Sequence, residues 1–80
     1  MNNLPVNYAS TVREVLALAA YARISYKDGN LEKARKNISQ AYQEVNFYES
    51  VVKSSDSMKG LKEHLQRLES LVNDNWRRLQ

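Results

Sequence analysis

His64 is the only histidine of this 80-residue chain, and no cysteine accompanies it. A metal site needs several nitrogen, sulfur or carboxylate donors that converge, and a lone histidine flanked by Glu63 and Arg67 does not assemble one. It reads as a solvated helical side chain, neither a ligand nor a base. The carboxylates are spread over charge-balanced surfaces, with no apolar pocket that would raise one toward a working pKa. Gly29 and Gly60 stand alone and neither follows a strand, so there is no phosphate-cradling loop. A chain this short is also too small to enclose a pocket of substrate size. The expectation is a protein that is not an enzyme, with no catalytic or metal-binding residues and no cofactor.

Positive charge is the other chemistry on offer. Lys and Arg number 12 against 9 Asp and Glu, and the excess gathers at Arg23, Lys27, Lys33, Arg35 and Lys36, opposed only by Asp28 and Glu32. These five are candidate contacts for an anionic partner. With Tyr21 and Tyr26 they could form a basic, aromatic corner for nucleic acid. However, phosphate binding needs cations clustered on one face, and these splay around two helices. The helix pair is also too long and antiparallel for a helix-turn-helix reader. A net charge of +3 does not by itself imply nucleic acid.

The elements that carry these residues are helical. Glycine occurs only at 29 and 60 and proline only at 5, and the rest is rich in strong helix formers. Asn7, or Thr11 with Glu14 in capping-box spacing, can start the first helix. Gly29 can take the left-handed conformation that closes it, and Asn30 can cap the second. Ser54-Ser55-Asp56-Ser57 ends the second helix, and Asp56 or Ser57 caps the third. The pattern predicts helices over about 8–27, 31–53 and 58–79, joined by short turns. The fold class is therefore all-α: an antiparallel three-helix bundle, up-down-up, in one domain over residues 1–80.

The expected core is three stripes at 3-4 spacing. Tyr8, Val12, Val15, Leu16, Ala19, Ala22 and Tyr26 form the first. Leu31, Ala34, Ile38, Ala41, Val45, Tyr48 and Val52 form the second, and Met58, Leu61, Leu65, Leu68, Val72, Asn75 and Leu79 the third. Asn75 interrupts the last stripe, where it can set register or leave Trp76 to act as the core residue. Apolar residues are left over. Helix 1 carries Ala17, Leu18, Ala20, Tyr21 and Ile24 outside its stripe, and a helix apolar all round is normally buried all round. Ala17, Ala20, Tyr21 and Ile24 form a second face for a partner helix, unless Leu4 and Val6 fold over it. Phe47 and Val51 form a smaller apolar edge on helix 2, and Leu71 lies off the stripe of helix 3.

Gly29-Asn30-Leu31-Glu32-Lys33-Ala34, followed by Ile38 and Ala41, resembles the middle of a tetratricopeptide repeat. Over about residues 18–42 the chain also resembles the microtubule-interacting and trafficking (MIT) domain, a three-helix bundle with a close-packed first hairpin. That resemblance implies a partner helix or strand docked between helices 2 and 3, against Val45, Tyr48, Val52, Leu61, Leu65 and Leu68.

The functional expectation is a non-enzymatic module that binds a partner protein, as a helix or peptide, through helical surfaces. Self-association into a homo-oligomer is one form this can take. The alternatives are a small stand-alone regulator that caps a specific target, of the kind phages and plasmids encode, and a nucleic-acid binder using residues 23–36. No apolar run reaches the ~20 residues that span a bilayer. The start lacks the features of a signal peptide, and the absence of cysteine fits a reducing compartment. These features lead to the expectation of a soluble cytoplasmic protein without membrane insertion.

Overall fold

The computed structural model describes residues 6–54 and 56–78. It is an all-α bundle of three helices: α1, Tyr8–Lys27; α2, Leu31–Val52; and α3, Lys59–Arg78. Asn7 rather than Thr11 caps α1, accepting a hydrogen bond from the Ser10 amide at 3.0 Å. At the other end Gly29 takes a φ of +81°, which a residue with a side chain rarely adopts. The turn closes with the Asn30 amide on the Ser25 carbonyl at 2.8 Å, and the Asn30 side chain then accepts from the Lys33 amide at 3.1 Å. One dipeptide ends α1 and starts α2, which sends the chain straight back along itself.

At the second connection the helix ends fall within one residue of expectation. Lys53 lies outside α2 as its left-handed cap, with φ at 57°. The α3 helix begins at Lys59, whose amide donates to the Asp56 carbonyl at 3.2 Å. The Ser57 hydroxyl donates to the Ser54 carbonyl at 3.1 Å. Met58 precedes the helix and is still buried. Leu4, Pro5, Ser55 and Leu79 lie outside the described residues.

Small residues set how the helices pack. Ala19, Ala22, Ala34 and Ala41 are all buried, and the α1–α2 hairpin is the most extensive packing in the molecule. The α3 helix packs mainly on α2 and least on α1. Val15, Ile38, Val45, Met58, Leu65, Leu68 and Val72 complete the interior. The molecule measures 50 × 19 × 15 Å.

The α2 stripe is buried as expected apart from half-buried Val52, and the described part of the α3 stripe, Met58 to Asn75, is buried apart from half-buried Leu61 and Asn75. The α1 stripe needs correction. Tyr8 and Leu16 are exposed, whereas Thr11 and Ser25 are buried and Leu18 packs against the core. Thr11, Val15, Leu18, Ala22 and Ser25 follow their own 4-3-4-3 line, and the short side chains at its two ends let α2 approach closely. Val6 also packs against the core and so does not cover the outer face of α1.

Candidate protein-interaction surface

Packing turns one side of α1 inward and leaves the other uncovered. Ala17 and Ala20 are exposed, Tyr21 is 59% exposed and Ile24 55%. The four candidate residues thus share one surface, as their i, i+3, i+4, i+7 spacing requires. Leu16, expected inside, joins them at 47% exposure. Arg13, absent from the expected site residues, and Lys27, expected as an anionic-partner contact, lie on the same line at its two ends. Their 4-3-4-3 spacing with Ala17, Ala20 and Ile24 was readable, but an interest in apolar residues passes over it.

Where this face meets α2, Tyr21, Ile24, Ser25, Asp28, Lys33 and Asn37 line a surface groove of about 480 Å³. The Asn37 side-chain nitrogen is buried there without a hydrogen-bond partner among the described residues.

Phe47, 53% exposed, and half-buried Val51 form a second apolar edge. The Tyr8 and Tyr48 rings meet edge to face at 5.8 Å, which places the end of α2 beside the start of α1. Counted from that register at 1.5 Å per residue, Phe47 and Tyr21 lie about 18 Å apart along the hairpin. The structure does not bring the two apolar patches together.

The five basic candidates are all exposed; Lys36 shares one groove with Arg35 and another with Lys33, while Arg23 and Lys27 stand apart from them. The Arg23 guanidinium lies 3.1 Å from the His64 Nε2 atom of α3. His64 is thus half-buried and engaged, not the lone solvated side chain expected. The Arg35 guanidinium sits over the Trp76 ring at 4.7 Å, a cation–π contact that ties α2 to the end of α3. Lys33 borders the groove with Tyr21 and Ile24. Lys36 lines a groove with Glu32, Arg35, Tyr42 and Glu69 and a further one with Lys33 and Asn37, and Lys27 lies at the end of the outer face of α1.

The remaining polar groups hold α3 in place. Lys62 pairs with Glu49 at 3.1 Å. The Asn75 amide nitrogen donates to the Tyr26 hydroxyl at 2.9 Å and to the Leu71 carbonyl at 3.0 Å, while Trp76 packs against the core beside it. Tyr42 bonds Glu69, and its phenol is raised above the ordinary value by desolvation, then by the Glu69 charge and that hydrogen bond. Among the described residues no three His, Cys, Asp or Glu side chains stand together to hold a metal, and no helix is long and apolar enough to cross a membrane.

Between α2 and α3, Val45, Tyr48, Leu65 and Leu68 are buried, and Val52 and Leu61 pack against them. The six side chains that the family resemblance implies as a docking groove thus lie in or against the chain's own core, while Ile38, Ser39, Tyr42, Glu69 and Asn73 line an open groove of about 400 Å³ between the same two helices. No protein-family model matches the sequence, and no curated protein or solved structure matches it either.

Proposed function

We propose that this chain is a non-enzymatic protein-interaction module that binds a partner protein through the outer face of α1. The observation that carries this reading is the exposure of Tyr21 and Ile24, each by more than half, beside Leu16, Ala17 and Ala20. These residues are not needed to close the bundle, because α1 buries a complete stripe on its opposite side. Leaving large apolar side chains in water forgoes about 1.5–3 kcal/mol each relative to full burial, and clustered exposure of this kind marks interaction surfaces. A regulator that caps a target protein would use the same face, with the target as its partner. The basic residues do not favour nucleic acid, since Arg23 and Arg35 are turned to contacts with α3.

The test is affinity capture from cells with the full chain and an Ile24→Asp variant, quantified by mass spectrometry. We expect at least one protein to be retained by the wild type and depleted about tenfold or more by the variant, the size of effect expected of an interface anchor. Circular dichroism should show the fold unchanged. Equal retention of every protein by both would overturn the reading.

A further inference from the structure

The line Arg13, Ala17, Ala20, Ile24, Lys27 is apolar in its middle and cationic at both ends, and all five residues are exposed. Its 4-3-4-3 spacing keeps the five on one seam of the helix, the geometry along which a second helix packs. Lys27 lies fourteen residue steps beyond Arg13, about 21 Å along the axis. Among the described residues Lys62–Glu49 is the salt bridge, and neither Arg13 nor Lys27 joins one. Arg23 adds positive charge on the flank that also carries Leu16. Glu14 and Asp28 follow Arg13 and Lys27 by one residue, so they lie about 100° round the helix, on the side of Tyr21.

This arrangement discriminates between occupants. A second copy laid antiparallel about Ala20 matches Leu16 with Ile24 but sets Arg13 against Lys27 at both ends. Laid parallel, it sets each cation against itself. Like charges juxtaposed across an interface oppose association. A lipid surface rewards bulky apolar side chains, whereas Ala17 and Ala20 bury little area and instead admit a neighbouring backbone.

Resting on the α1 face being the interaction surface, we infer that its partner presents an acidic amphipathic helix, with small and apolar residues on a 4-3 seam and carboxylates about four turns apart. Those carboxylates meet Arg13 and Lys27, and the seam packs on Ala17, Ala20 and Ile24.

The test titrates the full chain, observed by amide NMR, with a helical peptide of about 22 residues. The peptide carries Leu and Ala on the seam and glutamates at the Arg13–Lys27 spacing, and a twin carries lysines in their place. The acidic peptide should shift amides across Arg13–Lys27 and bind roughly tenfold more tightly than its twin. The double variant R13E/K27E should reverse that preference, and R13Q/K27Q should abolish it. Equal binding of both peptides, or binding of neither, overturns the inference. So does a concentration-dependent dimer dispersed by Ile24→Asp, or sedimentation with phosphatidylserine vesicles that R13Q/K27Q abolishes. Cellular capture that is lost in Ile24→Asp but unchanged in R13E/K27E would keep the α1 interface and refute the acidic partner alone.

Discussion

Asn75 sits on the leucine stripe of α3 because it has a partner there. Its amide donates to the Tyr26 hydroxyl at 2.9 Å and so joins the end of α3 to the end of α1. A hydrogen bond of this kind contributes about 0.5–1.5 kcal/mol net. A double-mutant cycle of Asn75→Ala with Tyr26→Phe, read by urea unfolding, should show coupling in that range, and additive effects would mean the bond contributes nothing. Tyr42 gives a prediction with a definite sign. Its phenol is held above the ordinary value of about 10, first by desolvation and then by the charge and hydrogen bond of Glu69. The folded state therefore holds this proton more tightly than the unfolded state. The stabilisation is complete below pH 10 and is lost as pH rises from 10 through the folded value. Tyr42→Phe should flatten the fall in unfolding midpoint above pH 10 relative to the wild type, and parallel curves would contradict the assignment. Neither contact was legible in the sequence, nor were Arg23–His64 and Arg35–Trp76. Each joins residues on different helices, and helical periodicity does not say which side of one helix meets which side of another.

At the scale of the element, α1 separates two uses of alanine. Ala22 is fully buried against α2, whereas Ala20, two residues earlier, is exposed on the outer face. Ala22→Leu should cost about 1–3 kcal/mol by overpacking the hairpin. Ala20→Leu should leave stability within about 0.5 kcal/mol. Equal costs in urea denaturation would show that the outer face is packed after all. The helix boundaries were legible because Asn7, Gly29 and Asn30 have backbone roles that few residues fill. The inward side of α1 was legible only in part. In a helix apolar nearly all round, Leu16 and Val15 look equally fit for the core, and polar Thr11 and Ser25 look unfit. The close approach of α2 decides between them, since it admits small side chains and turns Leu16 outward. The α2 and α3 helices, polar on one side, left no such ambiguity along most of their stripes.

Across the whole molecule, three helices bury one continuous core and leave α1 with a second apolar face between two cations. That surplus was visible in the sequence as more apolar residues than one stripe of a three-helix bundle can use. Its boundary was not, because Leu18 turned inward, Leu16 turned outward, and the Phe47–Val51 edge lies near the opposite end of the hairpin. The account predicts that contact with a partner runs along α1 and not along the polar outer side of α3. The most direct measurement is site-specific photo-crosslinking in living cells, with the reactive residue placed in turn at Ile24 and at exposed Gln66 of α3. A discrete adduct from position 24 and none from position 66 is the predicted result. Adducts from position 66 with none from position 24 would contradict the assignment of the outer face of α1 as the interaction surface.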